Sequence, residues 1–141
     1  MGRRPMRVCR LYIRRYDWHV TAFFDARAED VADVADVMRR IDCPAGVLAR
    51  VEKNLLRDRI DTGFTYSNRA ARCSVMTVGH ASSSKEFLNS YAHELRHLVD
   101  DIASASFLPM RGEAVGYLSG ELSWEFMDAV GDFLCCRCHG D

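Results

Sequence analysis

The order of periodic segments in the sequence predicts an α+β fold built as a single domain over residues 1–141. Two runs rich in aromatic and β-branched residues open the chain, and two amphipathic helical stretches follow them. Two further short strands then lead into two long helical segments. A chain of 141 residues can bury one modest core, and its 48% apolar content is ordinary for a folded domain. No repeat, low-complexity tract or linker interrupts it.

The first run, "RVCRLYIRRYDWHVTAFFDA", reads as strands at about 7–14 and 18–24 with a turn near Tyr16-Asp17. In "RAEDVADVADVMRRI" the residues Val31, Val34, Ala35, Met38 and Ile41 form a helical stripe. Its acidic residues come early and Arg39 and Arg40 come late, as the helix dipole favours. "DCPAG" ends that helix, and "AGVLARVEKNLLRDRI" is a second one. "DTGFTYSN" and "RCSVMTVGHA" read as two short strands around a polar turn. A helix is expected from about Ser84 to Ile102. There Phe87, Leu88, Tyr91, Leu95, Leu98, Val99 and Ile102 recur at steps of three and four, and "SSSKE" supplies N-cap serines. "SASFLPMRG" is a loop, and "EAVGYLSGELSWEFMDAVGDFL" is a last, long helix. Trp18 and Trp124 are expected to pack in the core.

Bulk composition excludes several function classes. The net charge of −1 gives no general attraction to nucleic acid or membrane, and no segment approaches the length of a membrane span. The seventeen arginines against two lysines have no function attached to them. "RVCRLYIRR" reads better as the solvated face of a strand than as a nucleic-acid patch. No apolar run of signal-peptide length follows the basic start, so a cytoplasmic location is expected. The six cysteines are then expected to be free thiols. Cys135, Cys136, Cys138 and His139 form a tail cluster that can bind a metal, but structural zinc sites usually draw on two separated pairs. Cys9, Cys43 and Cys73 read as small buried residues.

The stretch that carries chemistry is "YAHELRHLVDD", residues 91–101. Residues four apart on a helix share a face, so His93 and His97 can both aim a ring nitrogen at one zinc ion. Glu94 sits about 100° further round. From there it can take a proton from an attacking water without being a ligand. This is the H-E-x-x-H arrangement of zinc metallopeptidases. The plain alternative is a solvated helix face carrying His93, Glu94, Arg96 and His97.

A peptidase site needs a third protein ligand. Glu113 and Glu121 on the last helix are the candidates there. Glu113 follows the "SFLPMRG" loop, which is long enough to fold that helix back across the motif helix. Tyr117, one turn on, can support a ligand or face the substrate oxyanion. In the plainer reading Glu113 only suits a helix N-terminus and Tyr117 is core.

"HELRH" followed by "GEAVGYLSGEL" resembles the gluzincins, in which a glutamate on a second helix completes the zinc site. It is most similar to the minigluzincins and to small predicted metallopeptidases of bacterial mobile elements and phages. The resemblance covers about residues 62–125. It implies a small zincin-like domain with a short antiparallel sheet, an active-site helix and a long C-terminal helix. It also implies His93, His97 and Glu113 as ligands of Zn2+, Glu94 as general base, and "CSVMTV" as the edge strand that aligns an extended peptide or protein substrate. Larger gluzincins such as thermolysin carry an acidic residue four positions after the ligand glutamate, where this chain has Tyr117. They also carry a separate oxyanion histidine, for which His80 is the nearest candidate. Spacing weighs against the rival carboxylates. His93, His97 and Asp101 fall on one stripe whose ends are about 12 Å apart, and Glu121 is about 12 Å along the helix from Glu113. Asp100 points elsewhere. The expected activity is zinc-dependent hydrolysis of peptide bonds. The alternative is a non-catalytic zinc-containing module that binds a peptide or partner protein.

Overall fold

The computed structural model describes residues 5–134 and has the α+β architecture that the sequence predicts. Strands Arg7–Ile13 (β1) and Trp18–Ala26 (β2) are joined through a short helical turn, with Asp17 in the left-handed conformation (φ 49°). Aspartate tolerates that conformation better than most residues. Two helices follow, Val31–Arg40 (α1) and Ala45–Leu56 (α2). Strands Gly63–Asn68 (β3) and Cys73–Gly79 (β4) come next, then the long helices Ser84–Ala105 (α3) and Glu113–Leu134 (α4). The Ser83 side chain caps α3 by accepting from the Glu86 N–H at 3.1 Å.

The sheet has the strand order β1-β2-β4-β3. Its outer pairs, β1 with β2 and β3 with β4, are antiparallel, but β2 and β4 run parallel. The sheet is therefore mixed, not the antiparallel sheet expected. The chain between β2 and β4 has to cross over, and it carries α1, α2 and β3 as it does so. "CSVMTV" is also an inner strand, between β2 and β3. The edge beside α3 is "GFTYSN" instead.

Both faces of the two inner strands are covered. Val20, Ala22, Phe24, Met76 and Val78 pack against α3 and α4. Phe23 and Val75 point the other way, into a second cluster with Val34, Met38, Leu48 and Val51 of α1 and α2. Two-sided burial explains why residues 22–26 and 74–79 are buried at every position, while the edge strand β1 alternates in exposure. Phe24 makes edge contacts with Tyr91 and Phe126, which joins β2, α3 and α4 at one point.

Trp18 is fully buried, and its Nε1–H donates to Ser74 Oγ at 2.9 Å. Trp124 is not a core residue: it is 80% exposed. The buried stripe of α4 runs through Leu118, Leu122, Phe126 and Val130, and Trp124 lies about 200° round from Leu122. Tyr117 shares the exposed side with it, at 67% exposure. Among the described residues, no helix is long and apolar enough to cross a membrane. Phe126→Ala is expected to cost about 3–5 kcal/mol in urea unfolding, as for other buried aromatics. Trp124→Ala should stay within about 0.5 kcal/mol, the range of ordinary surface changes. An equal cost for both would place Trp124 in a packed core.

Candidate metal and peptide site

The H-E-x-x-H stretch lies in the middle of α3, where the helix passes the edge strand. His93 and His97 are on an exposed face. Their rings are edge-on with centroids 4.8 Å apart, and their Nε2 atoms are 3.1 Å apart. At that distance one ring donates to the other when no ion is present. Two nitrogens each about 2.1 Å from a tetrahedral zinc would be separated by about 3.4 Å, so the spacing is close to that of a shared ion, and the ring that now points its nitrogen at the other has to turn to reach one. Only the spacing of the two imidazoles is that of a ligand pair; their present directions are those of a hydrogen bond.

The third donor is not gathered with them. Glu113 is in the first turn of α4 with its side chain exposed. Among the described residues no group of three or more His, Cys, Asp or Glu side chains is assembled to hold an ion. Glu121, two turns further along α4, is exposed as well. Asp101 and Asp100 are engaged elsewhere: Asp101 accepts from Ser67 Oγ at 2.6 Å, and Asp100 pairs with Arg96 at 2.9 Å. The cluster of Cys135, Cys136, Cys138 and His139 lies outside the described residues.

Glu94 points away from the histidine face and is 5% exposed. Its Oε1 accepts from Thr65 Oγ1 at 2.9 Å, and the same hydroxyl lies 3.2 Å from the Glu94 carbonyl oxygen. Gly63, two residues earlier on β3, makes room for this. A Cβ there would fall 2.8 Å from Glu94 Cγ, 3.2 Å from Oε2 and 2.7 Å from the Thr77 carbonyl oxygen. Two turns further along α3, Asp101 makes the second tie to the strand. Trp18 Nε1–H donates to Ser74 Oγ, Ser74 donates to Ser67 at 2.6 Å, and Ser67 donates to Asp101. Thr65 and Ser67 are two apart on one strand face, and Glu94 and Asp101 are seven apart on one helix face, so each pair faces the other. This double clamp is not evident from the motif, although the alternation of Thr65 and Ser67 is the local signal for it.

His80 is not near the histidine pair. It follows β4, about 13 Å along that strand from Met76, the residue opposite Thr65. Its Nδ1 is 2.7 Å from Asp25 Oδ1, and Arg27 Nη2 lies 2.9 Å from the same nitrogen. Asp25 itself is buried at the bulge of β2, with a φ of 69°. The oxyanion role considered for His80 is thus left without a geometric basis. Cys9, Cys43 and Cys73 are free and half-buried, and burial pushes each thiol up from its ordinary value. Such thiols stay protonated at neutral pH and are poor nucleophiles.

The edges of the sheet differ in chemistry. β1 carries Arg10, which discourages pairing with another strand, and Arg7, which pairs with Asp132 of α4. β3 has neither charge nor proline, so its outer backbone groups are available to an added strand. No known protein family, curated protein or solved structure matches the chain.

Removing the Thr65 hydroxyl strands a buried carboxylate. Thr65→Val should therefore lower stability by roughly 1–3 kcal/mol, and Thr65→Ser should restore most of it. Chemical unfolding of the two variants gives the comparison. Equal losses in both would mean that the Thr65 methyl, not the hydroxyl, matters.

Proposed function

We propose that the chain is a zinc-dependent peptidase of the gluzincin type. The observation that carries the reading is the His93–His97 pair, with Nε2 atoms 3.1 Å apart on an exposed face, followed in sequence by a glutamate held against the open sheet edge. His93 and His97 would hold the ion, and Glu113 is the carboxylate assigned to complete its shell. A zinc ion bound there would supply Lewis acidity toward a peptide carbonyl and an attacking water. The chain's own residues supply the rest. An extended peptide pairs with the outer edge of β3, which fixes its register along α3. Thr65 holds Oε1 of Glu94 against β3, so in this reading the carboxylate turns from the strand toward the ion before it takes the water's proton and passes it to the departing amine. Tyr117, exposed one turn beyond Glu113, is assigned to the oxyanion.

The burial of Glu94 also favours a second reading. A carboxylate committed to Thr65 suits a zinc-containing module that binds a peptide along β3 without cutting it. Mutation separates the two, because Gln can still accept from Thr65 but cannot take a proton from water at neutral pH.

Protein made without a polyhistidine tag should carry about one zinc per chain. The double change His93→Ala/His97→Ala should abolish binding, and a chain ending at Leu134 should retain it. Wild-type protein that stays metal-free after zinc supplementation would sink both readings. Glu113→Ala should weaken zinc binding about 10-fold or more, the effect of losing one of three ligands, while Glu121→Ala should leave it nearly unchanged. Glu94→Gln should keep zinc and fold yet lower cleavage of a proteome-derived peptide library by about 10²–10⁴-fold. Zinc-loaded wild type that cleaves nothing in that library leaves the binding module as the answer.

A further inference from the structure

A cavity of about 270 Å³ opens on the sheet face opposite α3, between α2 and the start of β3. Gly63 lines it and also packs against Glu94. Its apolar wall includes Val51, Leu55 and Phe64, and its polar lining includes Arg50, Asn54 and Arg59. Thr77 forms part of the lining and is 1% exposed. Its Oγ1 is buried without a hydrogen-bond partner among the described residues. An orphaned buried hydroxyl costs free energy unless something enters to meet it.

The charge around the cavity is one-sided. No carboxylate lines it, and neither Arg50 nor Arg59 is in an ion pair among the described residues. The acids on the nearby α2–β3 connection face elsewhere. Asp61 accepts from the Ser82 N–H at 2.7 Å and from Ser82 Oγ at 2.8 Å, and Asp58 is directed at the Ala28 N–H. Two guanidinium groups, an amide and a hydroxyl over an apolar floor match a planar anion attached to a short apolar body. The volume is just below the usual small-molecule range of roughly 300–1,000 Å³, which fits something of amino-acid size and leaves no room for a nucleotide.

We propose that this cavity binds a small organic carboxylate with an apolar side chain, either a free acid or the C-terminal residue of a peptide. Arg50 and Arg59 take the carboxylate, the aliphatic wall takes the body, and Thr77 Oγ1, closed beneath the cavity floor, donates to the ligand once the floor gives. The site needs no metal and does not depend on the peptidase reading.

Titration calorimetry on the full chain, without added zinc, tests it. The probes are N-acetyl-leucine, N-acetyl-leucine amide, and a pentapeptide ending in leucine with a free or an amidated C-terminus. At least one free-acid probe should bind at least 10-fold more tightly than its amide. Tight binding of the pentapeptide acid alone assigns the site to chain ends, and tight binding of N-acetyl-leucine alone assigns it to free acids. The double change Arg50→Gln/Arg59→Gln should lower acid affinity at least 10-fold and leave the amide unaffected. Thr77→Val, nearly isosteric and suited to its apolar surroundings, should lower acid affinity about 5-fold, close to the value of one hydrogen bond. Circular dichroism checks that both variants fold. Absence of binding by every acid overturns the proposal, as does equal binding of acid and amide, or wild-type acid affinity in either variant.

Discussion

A buried carboxylate cannot be left alone, and the position of α3 follows from that constraint. Glu94 is held by the Thr65 hydroxyl and fits only because Gly63 has no side chain. Asp101 repeats the contact through Ser67, with Ser74 and Trp18 extending the chain of donors into the core. Two such ties fix both the depth and the rotation of the helix against the strand. Once that rotation is set, His93 and His97 face outward and Leu98, Val99 and Ile102 face inward. One constraint therefore orients the apolar stripe and presents the two imidazoles.

The proposed peptidase would ask a second task of the glutamate of the motif. A carboxylate has two oxygens, and Thr65 occupies one of them. For the proposed reaction the carboxylate has to turn from β3, where Oε2 lies against Gly63, toward the histidine face. The same contact serves equally in a protein that never performs the reaction, which is why metal content and cleavage have to be measured separately.

The elements were legible from periodicity, and their limits fall close to those expected. Helix α4 spans the 22 residues of "EAVGYLSGELSWEFMDAVGDFL". Two things were harder to read. The first was which strand lies at the edge: β4 reads as a strand at once, but nothing local reveals that it pairs with β2 in parallel and is covered on both sides. Strand order depends on contacts far apart in sequence, and consecutive apolar residues such as Val75-Met76 and Ala22-Phe23-Phe24 are only an indirect sign of two-sided burial. The second was how α4 divides its apolar residues. Tyr117 and Trp124 are seven apart and form an exposed stripe of their own, distinct from the stripe through Leu122 and Phe126. In the site, the histidine spacing was plain from the motif. The partnership of Glu94 with Thr65 was not, because it joins a helix to a strand almost thirty positions earlier. Arg50, Arg59 and Thr77 come together only through the crossover, so their cavity has no linear signature.

The parallel pairing of β2 with β4 also sets the order in which the chain can fold. β1 and β2 meet through a tight turn and can form early, yet a two-stranded hairpin is only marginally stable in water. Its partner β4 arrives after the whole stretch from Arg27 to Arg72, and the entropy of closing that loop comes before any contact rewards it. During synthesis Val20, Ala22 and Phe24 remain without their eventual cover until α3 and α4 have emerged. The N-terminal half is therefore the segment most exposed to mispairing with a second nascent chain, and Arg7 and Arg10 on β1 are well placed to discourage it.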